Sequence, residues 1–220
     1  MRFALQTAFG VLFFVAVLFW PAGTFDYWQA WVFLAVFMVT TIVPSVYLAV
    51  RYPDALARRM KAGPTAETRP AQRIIMTLTL TLVVATFVVS ALDHRFGWSH
   101  VPVWLVIVGV VMVGVGLIVT QLVVVQNNYA AATVRVEADQ PLVSSGLYGI
   151  VRHPMYSGAA IMMVGTPLAL DSLWGLLGVV ASAPVIVARI RDEETMLAEE
   201  LPGYREYMGR VRYRICPVIW

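Results

Sequence analysis

Polar residues able to do chemistry are gathered in two stretches of the C-terminal half. The first runs Gly146-Leu147-Tyr148-Gly149-Ile150-Val151-Arg152-His153-Pro154-Met155-Tyr156-Ser157-Gly158. Two glycines loosen the backbone, and a proline then opens a helix, where its missing N–H costs no hydrogen bond. The start of that helix offers unpaired backbone N–H groups and the positive end of a dipole, for which a carboxylate is a natural guest. His153 and Tyr156 are three apart and share a face around that end, while Tyr148 is placed to border an aromatic ring. Taken alone, His153 reads more readily as an interfacial histidine capping a helix.

The second stretch is Arg189-Ile190-Arg191-Asp192-Glu193-Glu194-Thr195-Met196-Leu197, continuing a helix out of the last apolar segment. Arg189 and Glu193 are four apart and lie on one helical face. The plain reading is an exposed helix end with one ion pair worth about a few tenths of a kcal/mol. The sharper reading has Glu193 accepting hydrogen bonds from a bound ligand while the donor fork of Arg189 grips a carboxylate. Cys216 is the single cysteine, so no intramolecular disulfide and no cysteine-based zinc cluster can form, and no metal is expected. It stands fifth from the end, not fourth as a prenylation signal requires.

The elements that must position these residues belong to a bilayer. Of 220 residues 60% are hydrophobic and 13% charged, about half the charge of a soluble domain and too little to clothe a water-facing surface. Six segments approach the roughly 20 apolar residues that cross a membrane: 3–20, 27–50, 74–92, 101–125, 155–170 and 173–188. The last two are short and nearly contiguous, so they read as a tilted hairpin, and five full spans are an alternative. The fold class expected is therefore all-α, a polytopic membrane helix bundle of about six transmembrane helices with a cytoplasmic C-terminal cofactor site. Residues 1–125 supply four helices and a basic loop near 51–73; residues 126–220 supply the core that carries the chemistry, with the helical hairpin and a cytoplasmic tail. The Met1-Arg2 start and its apolar run read as a retained first helix, because no convincing cleavage site precedes Asp26.

Lys and Arg in short loops stay cytoplasmic. A six-crossing chain with both termini inside puts every one of its 16 basic residues inside except Arg95, whereas five crossings would scatter them. Trp20, Tyr27, Trp28, Trp31, Trp98, Trp104 and Trp174 then fall at the outer interface, as aromatic anchors do. In the 51–73 loop, residues 55–61 read as a short amphipathic helix on anionic lipid, ended by Gly63-Pro64, or as a solvated basic loop. The net charge of +3 flanks apolar segments instead of lining a soluble face, which speaks against nucleic acid. The near absence of ionisable groups inside the apolar segments speaks against an ion-coupled transporter.

As a set, Arg152-His153-Pro154-x-Tyr156, then Glu193-Glu194-x-x-Leu197, Gly203-Tyr204-x-x-Tyr207 and Arg212-Tyr213-Arg214-Ile215-x-Pro217 resemble the isoprenylcysteine carboxyl methyltransferase family and its bacterial relatives. The resemblance covers roughly the last 80 residues. Phospholipid N-methyltransferases share the layout more loosely, and membrane sterol reductases have a related C-terminal region. The resemblance implies S-adenosylmethionine as cofactor. It assigns His153, Pro154, Met155 and Tyr156 to the cofactor-binding stretch, Tyr148 and Glu193 to cofactor contacts, and Arg189 to the substrate. Leu142 and Val143, in the poorly matching strip Gln140-Pro141-Leu142-Val143, are assigned to another cofactor contact. Tyr204, Tyr207 and Arg212 are assigned to a tail folded over the cofactor.

The implied reaction is methyl transfer to a lipophilic small molecule or prenylated acceptor arriving through the membrane lipids, with no nucleic acid and no obligate protein partner. An arginine four residues before the glutamate pair favours an acceptor carboxylate over a phospholipid amine, which a cation would repel. An NADPH-dependent reductase is the rival of another chemistry, and no Gly-rich phosphate loop is present to serve it.

Overall fold

The computed structural model describes residues 2–60, 62–130, 133–136 and 140–220, with side chains from residue 10 onward. Among them all regular structure is helical: α1 Arg2–Ala22, α2 Trp28–Arg51, α3 Pro53–Met60, α4 Pro70–Phe96, α5 Val103–Gln126, α6 Pro154–Ala169, α7 Leu176–Glu200 and α8 Tyr204–Arg210. Short 3₁₀ turns occupy Pro64–Ala66 and Gly146–Gly149. Within the described residues α2, α4 and α5 are long and apolar enough to cross a membrane, and Gly10–Ala22 is a shorter apolar helix. The chain is an integral membrane protein.

The long helices alternate in direction, so their ends meet at two poles. At one pole, Tyr27 at the start of α2 donates its hydroxyl to the Leu170 carbonyl at the end of α6, at 2.5 Å. Asp93 at the end of α4 accepts from Ser172 at 2.6 Å, and Asp171 accepts the Val101 N–H before α5 at 2.6 Å. At the other pole the start of α4 meets the end of α7 through Arg69 and Asp192, 2.7 Å apart. Of the basic residues, Arg95 lies with the first pole, its guanidinium against the Pro21 carbonyl.

Small residues decide the tightest seam. A β-carbon at Gly116 of α5 would lie 2.5 Å from the Gly158 carbonyl of α6, and one at Gly109 would lie 2.5 Å from the Ala169 nitrogen. The two backbones touch, as small-residue seams permit in lipid, where helices gain little from apolar burial alone. This pairing overrides the short loop between α6 and α7. Instead of a hairpin, α6 lies along α5 and α7 lies along α4, with only slight contact between α6 and α7. At about 1.5 Å per residue α6 is about 24 Å long, short of the about 30 Å hydrocarbon layer, while α7 runs well past it.

Two interface expectations are refined. Trp20, Trp28, Trp31, Trp98, Trp104 and Trp174 are exposed at the first pole. Tyr27 is not an anchor there: it is fully buried, stacked on His94 with ring centroids 3.8 Å apart. The basic loop does carry a helix, α3, started by Pro53 at its first position, and beyond it Gly63 takes a positive φ of 98°. Lys61, the expected end of that helix, lies outside the described residues.

Candidate active site

Every side chain assigned to chemistry from the sequence reaches one cavity. Leu142, Val143, Tyr148, His153, Pro154, Met155, Tyr156, Arg189 and Glu193 all line it, at the pole where α5 and α7 end and α4 and α6 begin. α6 starts at Pro154 with His153 as its N-cap, and His153 makes no side-chain capping bond. The imidazole is instead buried, 3.3 Å from Glu194 through Nε2 and 4.0 Å from Glu193 through Nδ1.

The paired glutamates are divided in role by the direction each takes from α7. Glu193 points to the cavity, where its Oε2 accepts the Tyr156 hydroxyl at 2.7 Å. The phenol oxygen in turn accepts Nε of Arg189 at 2.9 Å. Arg189 and Glu193 are thus bridged by Tyr156. Glu194 turns toward the chain's end and accepts from Arg152 Nε at 2.6 Å and Arg214 Nε at 2.8 Å. Burial by itself would raise the Glu194 carboxyl pKa. The bonds from His153, Arg152 and Arg214 outweigh it and hold the group at about 2. Arg152 also donates to the Val211 and Arg212 carbonyls, and the backbone N–H of His153 donates to Arg214 at 2.8 Å. This second set of contacts fastens the C-terminal tail against the start of α6.

Arg189 is the hub of a third set. Its Nη1 donates to Gln72 at 2.9 Å and its Nη2 pairs with Glu67 at 3.0 Å. The other Glu67 oxygen accepts the Val134 N–H at 3.1 Å, and Gln72 and Arg69 both donate to Asp192. A loop 120 residues away in sequence from α7 therefore props the wall segment 133–136 over the cavity. Sequence reasoning passed over Glu67 and Gln72; a lone glutamate inside an otherwise basic loop was the available signal.

Tyr148 and Tyr207 complete the far wall. Asn127 donates to the Tyr148 hydroxyl at 3.2 Å, and the Tyr207 hydroxyl donates to the Tyr148 carbonyl at 2.7 Å. Burial, opposed in part by the Asn127 bond, pushes the Tyr148 phenol up to about 12, so it stays protonated at neutral pH. Two buried polar atoms on the cavity, the Tyr204 hydroxyl and Thr133 Oγ1, have no hydrogen-bond partner among the described residues. Such groups cost free energy unless something polar meets them. Among the described residues no cluster of His, Cys, Asp and Glu is placed to hold a metal ion.

Comparison with known proteins places this geometry. Residues 104–202 match the model of the phospholipid methyltransferase family. The Delta(14)-sterol reductase TM7SF2 of Mus musculus is 34% identical over 91 residues, 40% of this chain and 22% of that protein. The cobalt-zinc-cadmium resistance protein CzcN of Cupriavidus metallidurans is 30% identical over 131 residues, 58% of each. The chain thus spans from about a fifth to somewhat over half of the length of these curated relatives. The solved structure of the eukaryotic intramembrane Ras methyltransferase ICMT, an isoprenylcysteine carboxyl methyltransferase, superposes with a TM-score of 0.50 at 17% identity, covering 98% of this chain and 86% of that one. Residues 104–202 are thus similar in sequence to the phospholipid methyltransferase family, and the chain shares the fold of a solved isoprenylcysteine carboxyl methyltransferase, in line with the resemblance drawn from its C-terminal motifs.

Proposed function

We propose that the protein is a membrane methyltransferase that uses S-adenosylmethionine and methylates the carboxylate of a lipophilic acceptor at the cytoplasmic face. The observation that carries this reading is the convergence of Glu193, Tyr148, Tyr156 and the start of α6 on one cavity whose wall holds two unpartnered polar atoms. The residues fit such a cofactor. Glu193 supplies acceptor oxygens for hydroxyl or amine hydrogens, and the α6 start suits an amino-acid carboxylate. The Tyr204 hydroxyl and Thr133 Oγ1 are placed for further polar atoms, while Leu142, Val143 and Leu197 offer apolar contact to a base. The cavity measures about 110 Å³, below the several hundred Å³ usual for a ligand of that size, so loading must move a wall. Residues 133–136 and 140–143 form the described wall with least regular structure.

Bound there, the cofactor would supply a methyl group on a cationic sulfur for an acceptor carboxylate oxygen, the carbon–sulfur electron pair being left on sulfur. No proton moves, so the protein needs no general base and acts by holding the reactants in line. Arg189 orients Tyr156 and Glu193. It acts on an acceptor carboxylate only with the charge that Glu67, 3.0 Å away, leaves uncompensated. The alternating helices and the basic pole support a reading of six crossings, α6 short among them, with both termini cytoplasmic.

The kinship with a sterol reductase favours one other reading, an NADPH-dependent reductase. Calorimetric titration of the detergent-purified protein with S-adenosylhomocysteine, beside NADPH, separates the two. Saturable binding of the first, weakened in Glu193→Gln, is expected; binding of NADPH alone would make it a reductase.

A further inference from the structure

A second cavity, of about 310 Å³, lies between α1, α2, α3 and α5, walled by Phe14, Phe37, Ile42 and Leu48. Its lining is mostly apolar. Thr41 Oγ1 and Gln121 Oε1 line it, both atoms buried and without a hydrogen-bond partner among the described residues. Arg59 of α3 also lines it. Its described hydrogen bond is to a poor acceptor, the Met155 sulfur at 3.7 Å, and no described carboxylate lies within ion-pair distance. Burial disfavours its charged form, so its pKa is drawn below the ordinary value. A half-buried guanidinium facing apolar walls is costly until an anion meets it. Met155 is at the same time a wall of the methyl-transfer cavity.

We propose that this cleft is the acceptor's seat: a lipid-borne carboxylate is held by Arg59, its chain lies between α1 and α2, and its head reaches the cofactor cavity past Met155. This rests on the methyltransferase reading above and assigns the acceptor's anion to Arg59, since Arg189 is already tied to Glu67, Gln72 and Tyr156. The orphaned Gln121 oxygen asks for a donor, so the preferred acceptor carries an N–H or O–H near its carboxylate. Charge also gives direction. Methylation turns the anion into a neutral ester, which Arg59 no longer holds, and the product leaves into the lipid.

The test uses hexadecanoic acid with a diazirine at its methyl end, its methyl ester as control, and the full chain in phosphatidylcholine nanodiscs. Irradiation and peptide mapping are expected to find the acid on the α2 segment 37–48, with the ester labelling it weakly. Arg59→Gln should lower labelling by the acid about tenfold, the loss of one charge-assisted bond of about 1.4 kcal/mol, and Arg59→Lys should retain most of it. Ser45→Trp, which fills the cleft and keeps the guanidinium, should abolish labelling and guards against misfolding of the arginine variants. Equal labelling by acid and ester, labelling indifferent to Arg59→Gln, or full displacement of the acid by equimolar dodecyl phosphate would overturn the assignment, the last making the cleft a phospholipid seat. S-adenosylhomocysteine titration of the same samples stands apart: binding without cleft labelling sinks this inference alone, whereas labelling without binding sinks the methyltransferase reading and, with it, the acceptor role of the cleft, leaving Arg59 a carboxylate site only.

Discussion

At the scale of single residues, adjacent glutamates have opposite duties. Glu193 keeps an oxygen toward the cavity, and Glu194 is spent on Arg152, His153 and Arg214. Glu193→Gln should weaken S-adenosylhomocysteine binding at least tenfold, as expected for a bond to a charged acceptor, with thermal stability nearly unchanged. Glu194→Gln leaves the buried Arg152 and the half-buried Arg214 short of an anion and should cost about 3–5 kcal/mol of stability. Its pH dependence has a definite sign. A carboxyl held at about 2 when folded, against 4.5 ordinarily, stabilises fully above pH 4.5, and that contribution is lost as pH falls toward 2. The unfolding temperature of the wild type should therefore drop across that window, while Glu194→Gln stays flat there. Arg189→Ala, which strands a fully buried Glu67, should destabilise by a similar amount and expose the 133–136 segment to hydrogen exchange.

At the scale of elements, the start of α6 is placed by its seam with α5 more than by its own loops. Backbone contact at Gly116 and Gly158 sets how deep Pro154, Met155 and Tyr156 sit. Gly116→Leu should push the helices apart, costing at least about 1–3 kcal/mol by overpacking and weakening cofactor binding without touching the cavity. Gly114→Ala, two residues along the same helix and meeting only Val36 at 3.5 Å, should be neutral or slightly stabilising, since alanine is the better helix former. Thermal unfolding with S-adenosylhomocysteine titration of both variants checks the contrast.

At the scale of the whole molecule, the two poles differ in chemistry. One is basic and holds the site; the other is ringed by exposed tryptophans and closed by Asp93 and Asp171. In sealed bacterial cells expressing the protein, a membrane-impermeant maleimide should leave the native Cys216 of the tail unlabelled. It should label Trp98→Cys made in a Cys216→Ser background, and permeabilisation should expose Cys216. Labelling of Cys216 from outside would invert the proposed orientation.

The membrane environment, the helices and the gathering of the candidate site residues at one end were legible in the amino-acid order, because each depends on local composition: apolar runs of spanning length, clustered cations, and a proline after a histidine at a helix start. All nine residues assigned to the site from motif line one cavity for the same reason, the motifs being short and set on helix ends. Helix pairing was not legible. A short loop argued for an α6–α7 hairpin, and the glycine seam drew α6 to α5 instead, since close backbone approach depends on which small residues face each other across 40 to 60 positions. Nor was the division of the arginines: Arg189, Arg152 and Arg59 are alike in sequence, and only the tertiary structure decides which is neutralised by Glu67 or Glu194 and which is left facing an apolar cleft, because a charge's effect depends on what stands within a few ångströms of it in space.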